Sequence, residues 1–159
     1  MHKIIIIIIL LLTLSCSQRE NKTSESIHAE QGNQNQVSSQ IDVILRKIAN
    51  KEFLAIGEYN SLSVHILKNK DESFSENVGY LLFKYFENDS KRSNEFVSFL
   101  NTKTKDYKKK LLNSMIEIMC IDLSEEKYNY EKLITNFNFY ANEISVQKTF
   151  EECMNNQVH

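Results

Sequence analysis

YKKKLLNSMIEIM, residues 107–119, decides the fold. Tyr107, Leu111, Leu112, Met115, Ile118 and Met119 recur at spacings of three and four, which is the repeat of one face of an α-helix. The chain has no proline and only three glycines, so few residues force it to break. Long helices joined by short polar turns are therefore expected, rather than a β fold with many turns.

The same spacing extends in both directions. Downstream, Ser124 is placed to cap a following helix, with Glu125 and Glu126 near its positive end. Tyr130, Leu133, Ile134, Phe137, Tyr140, Ala141 and Ile144 continue that helix, and Val146, Phe150 and Met154 form a last amphipathic stretch. Upstream, Asn101–Thr104 reads as a turn, and Phe96, Val97, Phe99 and Leu100 as a helix started near Ser93. Val78, Leu81, Leu82, Tyr85 and Phe86 make another stripe, with Ser73 and Glu76 at capping-box spacing before it. Leu62, Val64 and Ile66 alternate as a strand would, but a lone strand has no partner, so helix is expected there too. Phe53–Ile56 is expected to be helical and to end near Gly57, and Ile41, Ile44, Leu45 and Ile48 mark the first helix of the domain. The predicted fold is all-α over residues 39–156: about six or seven antiparallel helices, in a bundle or a short solenoid-like stack.

Ahead of that domain, residues 17–38 are rich in Ser, Gln, Asn, Glu and Thr and nearly free of large apolar side chains. Such a segment cannot bury enough surface to offset its ordering entropy, so a disordered tether over 16–38 is expected. Its root-mean-square reach would be about 25 Å. Further upstream, Lys3 precedes the run Ile4–Leu14, which is apolar except for Thr13 and ends at Ser15 and Cys16. As a helix this run would be about 16 Å long, against the ~30 Å of a bilayer core, so it is too short to span. A cationic start, a short apolar region and a small residue are the parts of a secretion signal.

With Cys16 at its end, this segment resembles the start of a bacterial lipoprotein precursor. Ser15 matches the small position before the family's lipidated cysteine, and Cys16 matches that cysteine. Leu14 is acceptable, and Thr13 stands where the family usually has leucine. The resemblance implies that residues 1–15 are cleaved as a signal peptide. It also implies that the Cys16 thiol carries a diacylglycerol and that the new amino terminus is often acylated too, for instance by palmitate. The alternatives are an ordinary signal peptide with an incidental cysteine, or an uncleaved anchor. One acyl chain anchors only marginally, whereas two or three hold a protein to a membrane essentially permanently. The implied location is the cell envelope, at the outer membrane or cell surface before the inner membrane, facing away from the cytoplasm.

The remaining cysteines, Cys120 and Cys153, are either a disulfide, as an even pair in an exported protein can be, or two buried thiols. A metal site is not expected. There is no CxxC or HExxH, and His65 is the only histidine within the predicted domain. No cofactor motif is present either, since Gly32, Gly57 and Gly79 are isolated and form no phosphate loop. A formal net charge of −2 does not suggest a nucleic-acid partner. Lys103, Lys105, Lys108, Lys109 and Lys110 do not share one helix face and read as a solvated helix start. Ser63 and His65 lack the glycine pattern of a nucleophile elbow. Adjacent pairs such as Glu125 and Glu126 point apart on a helix.

Enzymatic activity is therefore not expected. The best lead in the domain is aromatic. Phe83 and Phe139 fall off the main apolar stripes and are expected to offer an exposed surface to a protein or peptide partner. The expected function is a membrane-anchored, non-catalytic helical binding module. The alternative is an envelope inhibitor or immunity protein acting against a toxin or hydrolase.

Overall fold

The computed structural model describes residues 40–69, 72–141 and 143–157, with 72–75 as backbone alone. The expected signal peptide, the tether and the lipidation site lie outside the described residues, whereas Ser73, expected as a cap, falls within the helix Glu72–Phe86. Every regular element among the described residues is helical. Residues 40–49 form α1, followed by α2 (Ile56–Lys68), α3 (Glu72–Phe86), α4 (Ser90–Leu100) and α5 (Lys105–Ile118). Then come α6 (Cys120–Glu125), α7 (Tyr130–Asn136), a 3-10 turn at Asn138–Tyr140 and α8 (Ile144–Asn156).

The pairing of these helices decides between stack and bundle. In a solenoid each repeat touches only its sequence neighbours. Here α5 packs most extensively on α8 and also on α2 and α3, so distant parts of the chain surround it. The arrangement is an all-α bundle with the 107–119 stripe at its centre, where Leu111, Leu112, Met115, Ile116 and Met119 are all buried.

Local chemistry sets the helix ends. Thr104 Oγ1 accepts the Tyr107 N–H at 3.3 Å and caps α5. Asp89 caps α4 by accepting the Arg92 N–H at 2.9 Å, so α4 begins ahead of the expected Ser93. Glu58 accepts the Ala55 N–H at 2.8 Å at the head of α2. Gly57 therefore lies in the first turn of a helix, not at the end of one, and Leu62, Val64 and Ile66 lie within that helix. Ser124 does not cap α7, because it lies inside α6; Asn129 does so, with Oδ1 2.7 Å from the Lys132 N–H. The helix expected to run from Tyr130 to Ile144 breaks at Phe137 (φ −126°, ψ 74°).

In a chain so poor in glycine, other residues take the left-handed positions. Lys51 (φ 56°) and Lys127 (φ 51°) close α1 and α6. The Glu52 N–H to Lys47 O and Tyr128 N–H to Leu123 O bonds, both 2.9 Å, are the long bonds of a Schellman turn. The loop after α1 is then fastened to the bundle. The Tyr85 hydroxyl donates to Glu52 O at 2.9 Å, and Arg92 donates to Lys51 O and to the Asp89 carboxylate. The Arg92 guanidinium also lies 5.3 Å from the Phe53 ring centre and 5.1 Å from that of Tyr85.

Phe83 and Phe139 are a correction. Both are buried, at 0% and 5% exposure, and neither forms a surface. Helix α3 is covered by α4, α5 and α6 at once, so its buried arc spans ~160° at 100° per residue and takes in Phe83 beside Val78, Leu82 and Phe86. Phe139 sits in the 3-10 turn against α4, with its ring 5.1 Å from Phe86 and 5.0 Å from Phe96, edge to face in both pairs. Tyr59, Phe99, Phe137 and Tyr140 extend this ring network through the core. Aromatic pairs in such geometries add about 0.5–1.5 kcal/mol each beyond their buried area.

Candidate functional site

Ser63, His65, Lys103 and Lys108 all make hydrogen bonds within the domain. The Ser63 hydroxyl donates to Asn60 O at 2.9 Å and meets the Tyr107 hydroxyl at 2.7 Å. His65 Nδ1 lies 2.9 Å from the Asn69 amide, and burial lowers the pKa of its imidazole. Lys103 reaches Asn60 Oδ1 at 2.7 Å and Lys108 reaches Asn101 Oδ1 at 3.1 Å, while Lys105, Lys109 and Lys110 are exposed at the start of α5. Among the described residues no cluster of His, Cys, Asp or Glu could hold a metal ion.

The feature with the dimensions of a binding site is a cleft of about 640 Å³. Ligand clefts typically measure ~300–1,000 Å³. Three elements build it. Helix α3 contributes Glu76, the end of α5 contributes Glu117 and Ile118, and α6 contributes Cys120, Ile121 and Asp122; Gln157, just past α8, completes the lining. Gly79 lets α3 approach this closely. It has no side chain, and a Cβ placed there would lie 1.9 Å from the Ile118 carbonyl oxygen. Glu76 is one turn before Gly79 on the same helix, so the close crossing places its carboxylate at the rim. On the other side, α5 stops at Ile118 and α6 starts at Cys120, with Met119 (φ −91°, ψ 3°) between them. This break presents Ile121 to solvent at 44% exposure.

One wall of the cleft is covalently fixed. Cys120 and Cys153 are joined as a disulfide with their Cα atoms 5.8 Å apart, which ties α6 to the last turns of α8. Gln157 Nε2 lies 3.7 Å from Cys120 Sγ.

The electrostatics of the cleft have one sign. Burial raises the Asp122 carboxyl above its usual range, and the nearby Glu125 adds to the shift. Lys84 opposes that shift and pairs with Glu87 at 3.4 Å and with Glu126 at 3.7 Å. Among the described residues, Glu76, Glu117 and Asp122 form no ion pair. A second, polar recess of about 220 Å³ lies between the start of α4 and the end of α7, lined by Asn88, Ser90, Ser93, Thr135, Asn136 and Asn138.

The cleft was not among the sites expected from sequence. Of those sites, Cys16 and Ser15 are outside the described residues, Cys120 forms part of the cleft wall, and Phe83 and Phe139 are core. One signal could have pointed to the cleft: an unforced glycine, Gly79, inside a strong helical stripe, where it weakens the helix unless something packs close. Compared with family models, with curated proteins and with solved structures, the chain matches none of them.

Proposed function

We propose that this chain is a lipoprotein of the bacterial cell envelope, held to a membrane by lipid on Cys16, whose helical domain is a non-catalytic binding module. The observation that carries this reading is a pairing: a lipoprotein-type start at residues 1–16 precedes a domain closed by the Cys120–Cys153 disulfide. Disulfides persist in oxidising compartments outside the cytoplasm, so an export signal and a disulfide agree with each other. No described helix is long and apolar enough to cross a membrane, and in this reading attachment falls to Cys16. The cleft beside α6 is the surface best suited to a partner.

Intact-mass and amino-terminal peptide spectrometry of the membrane-extracted protein should find a chain that begins at an acylated Cys16. Cys16→Ser should move the protein into the soluble fraction. A mature chain that retains residues 1–15, or carries an unmodified Cys16, would refute the anchor.

A further inference from the structure

We propose that the cleft between α3, the α5–α6 break and the end of α8 docks a lysine- or arginine-bearing polypeptide segment that also presents an aliphatic side chain. Its cations would meet Glu76, Glu117 and Asp122, and its apolar group would lie on Ile118 and Ile121. This rests on the reading of the domain as a binding module and names the chemistry of the partner.

Three observations converge on it. The cleft has room for side chains to enter, at about 640 Å³. Its floor and lip carry apolar surface in the open, with Ile121 44% exposed. Its rim carries carboxylates of one sign that form no ion pair among the described residues, and Lys84, the cation that acts on Asp122, is itself paired with Glu87 and Glu126.

The order of charge along α5 and α6 gives a further argument. A helix is stabilised by acids near its start and by bases near its end. Here Lys103, Lys105, Lys108, Lys109 and Lys110 gather at the start, with Asp106 the only acid in the first turn. Glu117, Asp122, Glu125 and Glu126 gather at the far end. Helix stability accounts for Asp122, which stands in the first turn of α6, but not for Glu117 in the last turn of α5, whereas recognition of a cation at the acidic end accounts for both. Carboxylates around an apolar floor also select the partner, because an acidic segment would be repelled and a purely aliphatic one would leave the rim unpaired.

The test uses the full chain in neutral detergent and a fluorescent octapeptide of six lysines and two leucines, followed by anisotropy. Binding should weaken as salt rises. The triple variant Glu76→Gln, Glu117→Gln, Asp122→Asn should weaken it about tenfold. A control with the same net charge, Glu95→Gln, Asp106→Asn, Glu131→Gln, should stay within about twofold of the parent. Circular dichroism of both variants should match the parent, since all six positions lie outside the core.

Equal losses in the two variants would reduce the effect to net charge and overturn the proposal, as would no binding at all. Sedimentation showing a self-associated chain that excludes the peptide, and that dissolves when the cleft is neutralised, would assign the cleft to a second copy instead. If envelope crosslinking finds a partner seated elsewhere on the domain, the binding-module reading stands and only this inference fails.

Discussion

Gly79→Ala should destabilise the domain by about 3 kcal/mol or more, a large share of the ~5–15 kcal/mol that holds a typical domain together. The added carbon would stand 1.9 Å from the Ile118 carbonyl oxygen and 2.8 Å from its carbon. Both are backbone atoms, so no side chain can swing aside. Relief requires α3 to move off α5, and that movement opens the core at Val78, Leu82 and Phe83. Gly57→Ala is the internal control. Nothing lies within 4 Å of a Cβ there, and alanine favours the first turn of α2, so a gain of roughly 0.5–1 kcal/mol is expected. Urea unfolding followed by circular dichroism reads both variants. Coincident midpoints for Gly79→Ala and the parent would show that α3 does not sit where it is described.

The second large effect concerns the disulfide. Reduction, or the double variant Cys120→Ser and Cys153→Ser, should lower stability by about 3–4 kcal/mol, the chain-entropy value for a loop of this length. The two cysteines are 33 residues apart, and the bond closes α6, α7, the 3-10 turn and most of α8 into one ring. Without it, α8 keeps its broad packing against α5, so helical content should be retained in the absence of denaturant while the midpoint drops. Unfolding curves that superimpose with and without reductant would mean that the bond constrains nothing the packing does not already fix.

The helices were legible where apolar residues recur at spacings of three and four over several turns. The stripe from Tyr107 to Met119 reads directly because a central helix needs long, regular apolar spacing. Helix α3 misleads because the stripe read from its sequence is narrower than its buried arc. Three neighbours cover it, so Phe83, read as surplus to one stripe, belongs to a second buried face. Ser124 has the right chemistry for a cap, but local preference for a cap is overruled when Met119 restarts the helix one residue later. The cleft was illegible because its parts are ordinary in sequence. Glu76, Glu117 and Asp122 become one rim only when a glycine lets two backbones nearly touch. No spacing rule decides whether two cysteines 33 residues apart meet; the packing of α6 and α8 does.

The covalent ring also governs what a protease can do to this domain. A cut in the linker between α6 and α7, or between the 3-10 turn and α8, falls inside the closed loop. Both fragments then stay joined through sulfur, and the cleft keeps its α6 wall attached to the rest of the molecule. A cut at Asn101–Thr104 falls outside the loop and severs the chain outright. The segment between Cys120 and Cys153 is therefore tolerant of nicking, and cleavage there passes unseen on a denaturing gel until a reductant is added.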